Sequence, residues 1–219
     1  MQKKIFLLAA AAVLALSGCK TGFNAQATLS QLSAPEPVKT DSFFYTEVPS
    51  CDDYQTKLES KSLLEAKQKV PFVLPGVKYL TCKTGKKTFK SFAQFSAQTD
   101  VGGDVRKCAP DSICVGRTGS AIEFTIGKGI RQRLDQIKES LLGFDASAVQ
   151  IRLYLVNDSV SKIKIIFVSG FYEANDGTFI PQHDDVLELD PKLQVTMIPS
   201  NAAVAKAFEG QIVKLADVQ

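Results

Sequence analysis

Histidine is nearly absent from this 219-residue chain, His183 being the single imidazole. A hydrolase that works by nucleophile and base needs such a group beside its serine or cysteine, so His183, in Gln182-His183-Asp184-Asp185, is the one candidate. No Gly-x-Ser-x-Gly elbow presents a serine to it, and a lone histidine among carboxylates reads first as a surface residue with a somewhat raised pKa. No Cys-x-x-Cys occurs, so a zinc site lacks its usual ligand spacing. The ligand order of an EF-hand is missing as well, and Asn175-Asp176-Gly177 and Asp184-Asp185 read as turn chemistry before calcium. Neither the P-loop nor the dinucleotide glycine pattern is present. Gly127-Lys128-Gly129-Ile130, with Arg131 behind it, offers amides and cations to an anion, yet reads more simply as a glycine-permitted strand-to-helix turn. With no catalytic set, metal site or cofactor motif assembled, the sequence points to contact and not turnover, and to no cofactor. Two close carboxylates would suffice for an acid-only hydrolase, and sequence leaves that class open.

Long apolar runs are scarce too. The longest, Ile5 to Leu16, has 12 residues, short for a permanent span of a bilayer core about 30 Å thick. Nothing after it approaches the ~20 consecutive apolar residues of a membrane helix, so the chain beyond Cys19 is expected to be soluble and tethered at one end.

Lys3 and Lys4 precede that run and Leu16-Ser17-Gly18-Cys19 closes it: a positive n-region, a short apolar h-region, then small residues before a thiol. The segment resembles a bacterial lipoprotein precursor. The resemblance implies a signal peptide over residues 1–18 that is removed, lipidation of Cys19, and a membrane as the first partner through that lipid. Lys20 follows the cysteine where an aspartate would imply retention, so the implied location is the cell envelope, at the outer membrane. The likeness stops there, and no family is recognised in the rest of the chain.

Residues 19–41 read as the lipidated cysteine and a flexible tether, small and polar with Pro35 and Pro37 around Glu36. Residues 42–219 then form one disulfide-braced domain, or two subdomains with a break near 98–120. Cys51, Cys82, Cys108 and Cys114 are an even set in an oxidising compartment and are read as two disulfides. Three pairings exist. The short spacing of Cys108 and Cys114 favours a local loop, which leaves Cys51 with Cys82.

Removing Lys3 and Lys4 with the signal peptide lowers the formal charge of +3 by two, so global charge names no partner. Its distribution says more: nine lysines stand against Glu59 and Glu65 between Lys57 and Lys90, while six acids and no lysine or arginine lie between Ile165 and Asp190. The two stretches are read first as a solvated, mixed surface. The tip carrying Lys83, Lys86, Lys87 and Lys90 around Gly85 is the first candidate contact surface, facing an envelope protein or an anionic envelope polymer; nucleic acid is not expected.

Alternation marks strands at Ala121 to Ile126 and Val149 to Val156, with further strands at Phe43 to Val48, Val77 to Lys83, Thr88 to Ser96, Lys162 to Glu173, Thr178 to Ile180, Val186 to Leu189 and Gln194 to Ile198. Ser60 to Lys69 and Ala202 to Phe208 read as short helices, the latter capped by Asn201. Gly129 to Leu142, with Ile130, Leu134, Ile137 and Leu141 in one stripe, is the best helix in the chain. The expected fold is α+β: a mainly antiparallel sheet with one long amphipathic helix packed on it. The expected function is a non-enzymatic binding module of the envelope. Alternatives are an inhibitor or immunity-like module that presents the Cys108 to Cys114 loop to a cell-wall hydrolase, or an acid-only envelope hydrolase.

Overall fold

The structure is a computed structural model, and it describes residues 21–85, 90–138, 149–173, 179–181 and 186–219. Along these the chain forms β1 (Thr21–Thr28), α1 (Leu29–Leu32), β2 (Val38–Val48), α2 (Lys61–Val73), β3 (Lys78–Thr84), β4 (Ser91–Val101), a 3-10 turn at Val105–Lys107, β5 (Ile113–Thr118) and β6 (Ala121–Ile126). There follow α3 (Lys128–Lys138), β7 (Val149–Val156), β8 (Ile163–Phe167), β9 (Gly170–Glu173), β10 (Phe179–Pro181), β11 (Val186–Leu189), β12 (Gln194–Pro199), α4 (Asn201–Phe208) and β13 (Val213–Val218).

All the strands join one sheet, in the order β10-β9-β12-β7-β1-β2-β4-β5-β6-β13-β8-β11, with β3 branching from β4. Most neighbours are antiparallel, but β1 runs parallel to β7 and β4 parallel to β5. The sheet cannot be flat. β8 and β9 stand next to opposite edges, about 40 Å apart if strands 4.8 Å apart were laid out flat. Val168 and Ser169 alone connect them, a link that reaches about 10 Å. The two limbs meet at this corner, where the Val168 amide donates to Leu215 of β13 at 2.8 Å and Ser200, just past β12, donates to Ser169 at 2.9 Å.

The fold is therefore mainly β, a curled half-barrel with short helices, and the α+β expectation of one long helix laid on an antiparallel sheet is overturned. α3 is one of four short helices among the described residues, ending at Lys138; positions 139–142 of the expected helix lie outside those residues. The sheet makes its own core by curling, so helices only fill the concave side. α4 shows how: capped by Ser200, whose side chain accepts from the Ala203 amide, it packs on β6, β7 and β13 with Ala203, Val204 and Ala207 buried. Alanine is what lets a helix approach both limbs at once.

Two expected boundaries also change. The segment read as a tether is the centre of the sheet, because Phe23, Ala25 and Ala27 point inward from β1 and are buried against β2 and β7. Thr28 then caps α1, its side chain accepting from the Gln31 amide. The glycine-rich stretch 98–120 is no domain break either, since it completes β4 and β5, and Asp100 and Val101 pair with Cys114 and Val115.

Candidate functional site

Inside the curl lies a cavity of about 340 Å³, within the size range of small-ligand sites. β1, β2 and β7 form one wall, where registered pairs put Thr21 beside Thr46 and Val149, and Phe23 beside Phe44 and Ile151. Ile113 of β5, Ile126 of β6 and Phe208 of α4 face them across the space. α2 and α3 close the remaining side with Ala66, Val70 and Val73 from one and Ile130, Leu134 and Ile137 from the other.

Local chemistry fixes both closing helices. α2 starts at Ser60, whose hydroxyl accepts from the Leu63 amide, and buries Leu63, Ala66, Val70 and Val73 at helical spacing. Pro71 lies within it, which is why the sequence pattern broke off near Lys69. At the start of α3 the Pro110 carbonyl accepts from the amides of Gly129 at 2.8 Å and Ile130 at 3.2 Å, and Ser112 accepts from Gly127 at 2.8 Å. These acceptors belong to the loop closed by the Cys108–Cys114 disulfide. The loop therefore caps a helix, and the amides of Gly127, Gly129 and Ile130, which an anion would need, are already bonded. Glycine is required there: a Cβ on Gly127 would lie 2.3 Å from the Ala109 carbonyl oxygen and 2.4 Å from that of Pro110.

The polar side chains in the lining are few: Thr21, Thr46, Glu47, Ser62, Glu65 and Lys69. The charged ones have partners: Glu47 pairs with Lys90 at 3.1 Å and Glu65 with Lys69 at 3.8 Å, while the hydroxyls of Thr21 and Thr46 lie 3.3 Å apart. With the interior aliphatic and aromatic and the rim charges balanced, the space suits a hydrocarbon chain better than an ion. Among the described residues no group of three His, Cys, Asp or Glu side chains is placed to hold a metal, and no helix is long and apolar enough to cross a membrane.

The residues singled out in the sequence fall in different places. The disulfides are Cys51–Cys82 and Cys108–Cys114. Lys83 is exposed on β3, whereas Lys90 turns back to Glu47 on the cavity rim; the tip thus lends part of its charge to the cavity. Lys86 and Lys87 lie outside the described residues, as do Cys19, His183, Asn175-Asp176-Gly177 and Asp184-Asp185. The cavity itself was not foreseen. Its local signals were the α3 stripe of Ile130, Leu134 and Ile137 and the stripe from Leu63 to Val73, the latter interrupted by Pro71; the sheet wall comes from strands distant in sequence that share no motif.

Curled sheet, helical closure and apolar interior define a hydrophobic-cavity module. The chain belongs to the family described as "Domain of unknown function (DUF7424)", whose model matches residues 23–216, nearly the whole described body. No curated protein matches the chain.

Proposed function

We propose that this protein is a non-enzymatic lipoprotein of the cell envelope, held at the outer membrane through Cys19, whose body binds the hydrocarbon part of an amphiphile. The observation that carries the reading is the apolar cavity between α2, α3 and the concave sheet. The lipoprotein-like N-terminus supports the same setting, since Thr21, two residues after Cys19, already lines that cavity. A binding site formed this close to an acylated terminus works where lipids are abundant.

The test is binding of a dansyl-labelled fatty acid to the purified protein, followed by displacement with laurate. Wild type should bind saturably. Ala66→Trp, which places an indole in the space between α2 and the sheet, should weaken binding at least tenfold while the circular dichroism spectrum stays native. A wild type that does not bind, or an Ala66→Trp variant that binds equally well, would refute the reading. Leu134→Asp supplies the second arm: a carboxylate in the cavity wall should weaken binding at neutral pH and recover part of it when protonated.

A further inference from the structure

Residues 52–59 form a short finger that holds two apolar side chains in water, Tyr54 at 87 % exposure and Leu58 at 70 %. The finger is an ordered turn. Asp52 and Glu59 bridge at its base, Ser60 donates to the Cys51 carbonyl at 2.9 Å, and the Cys51–Cys82 disulfide ties that base to β3. At the tip the Asp53 carboxylate accepts from the amides of Gln55 and Thr56 and from the Thr56 hydroxyl, at 3.0, 2.8 and 2.9 Å. The Thr56 amide and hydroxyl hold that carboxyl below its ordinary pKa, so the turn keeps its charge-assisted bonds at neutral pH. An ordered turn that keeps a tyrosine and a leucine outward presents them to something.

Its position says to what. The finger springs from the end of β2 and returns at the start of α2, and Val48, Pro49 and Ser62, which flank it, line the cavity. Thr21 lines the same cavity, and Cys19 precedes it by two residues, so the proposed lipid attaches on this side. Lys57, next to Leu58 in sequence, has its ammonium 4.9 Å from the Tyr54 ring centroid. Of the neighbouring acids, Asp53 is occupied in the turn, Glu59 is held by Lys67 at 2.8 Å, and Asp52 is exposed at the base of the finger, where its backbone bridges Glu59. An aromatic ring with a polar end, an aliphatic chain and a lysine on one tip is the chemistry that seats at the bilayer interface.

We infer that the finger inserts Tyr54 and Leu58 among phospholipid head groups and sets the cavity rim against the bilayer, so that the hydrocarbon ligand passes between membrane and cavity without crossing water. The purpose assigned to this contact rests on the cavity reading, but its test does not. The chain contains no tryptophan, so Tyr54→Trp in the full chain gives one emitter, at the tip. Val160→Trp is the control: Val160 is 96 % exposed and follows the end of β7 opposite to the cavity-lining Val149.

On vesicles of phosphatidylethanolamine and phosphatidylglycerol, emission from position 54 should move to shorter wavelength and be quenched by lipids brominated on their acyl chains. Emission from position 160 should stay that of an aqueous tryptophan, although both variants carry the same N-terminus. Adding Leu58→Ser to Tyr54→Trp should reduce the quenching at least threefold. An aqueous spectrum at position 54 on these vesicles overturns the inference, including the case in which a protein partner covers the tip instead. Equal shifts at 54 and 160 overturn it as well. Fatty-acid binding is read without vesicles, so loss of that activity and loss of the contact are separate results.

Discussion

Arg133 of α3 donates through Nε to the main-chain carbonyl of Val73, in the last turn of α2, at 3.2 Å. The same guanidinium reaches Asp111 in the Cys108–Cys114 loop at 2.6 Å. One side chain thus joins both helices that close the cavity and the loop that caps one of them. Arg133→Ala should cost about 1–2 kcal/mol, the scale of a charge-assisted hydrogen bond with part of its solvent exposure retained. That corresponds to a drop of several degrees in Tm for a chain of this size. Arg133→Lys should recover only part of it, because a single ammonium cannot reproduce the two-directional fork. Thermal unfolding of the three proteins checks both statements.

Gly127→Ala should be more damaging than an ordinary glycine-to-alanine change, because its Cβ meets backbone and not a yielding side chain. The loop must move, and it is held by a disulfide. We expect a loss of about 2–4 kcal/mol, comparable with overpacking or a lost capping arrangement. In a Cys108→Ser, Cys114→Ser background the loop yields more easily, and the additional cost of Gly127→Ala should fall by half or more. Equal costs in the two backgrounds, measured by urea unfolding, would show that the disulfide does not hold the loop against α3.

Replacing Cys51 and Cys82 together by serine removes a crosslink across a sequence separation of 31. Loop-closure entropy puts the loss at about 3–4 kcal/mol. Hydrogen exchange should rise first in the finger and the first turn of α2, which the bond anchors to β3, while β7 and β1 keep their protection.

Asp217 receives a hydrogen bond from the Lys214 ammonium at 2.7 Å and one from the Ser120 hydroxyl at 2.9 Å. The lysine is the main cause holding its carboxyl below the ordinary aspartate value, with Ser120 adding to it. The folded state therefore keeps Asp217 ionised at a pH where the unfolded chain binds a proton. Its contribution is fully present above the unfolded value of about 3.9 and is lost as pH falls from there through the lower folded value. Urea midpoints measured between neutrality and pH 2 should fall with a shallower acid slope in Asp217→Asn than in wild type, and the two curves should converge at the acid end.

How much of this was legible depended on the size of the inward side chains. β7 announces itself because Val149, Ile151, Leu153 and Leu155 are all large and buried, with half-buried residues between them. β4 has the same alternation in the structure, but its inward set includes Ser91, Ala93, Ala97 and Thr99. Small residues give little hydropathy contrast, so half of this strand looked like loop. β1 was lost in the same way, with Ala25 and Ala27 inward and Gly22 lying under the ring of Tyr45. Parallel partners leave no mark in periodicity at all, so no local reading of β1 would have found β7 beside it. The α4 cap shows the scale at which local reading works: the helix was expected, and its cap lies at Ser200, one residue before the expected Asn201. The cavity belongs to none of these elements alone, and only the curl of the sheet creates it.

The pairing of β1 with β7 sets an order of events for the newborn chain. Ser30, just past the end of β1, bonds Asp158, just past the end of β7, across 128 positions, and the strands before them keep that offset residue by residue. A ribosome that has released half the molecule has released β1 with only β2 to sit beside. Closing so long a loop precedes any reward from the pairing, which places this protein among slow, non-local folders. Until Val156 emerges, β1 exposes an unpaired edge at what becomes the middle of the sheet, and the interval is a window for aggregation that the chain crosses best with a chaperone at hand.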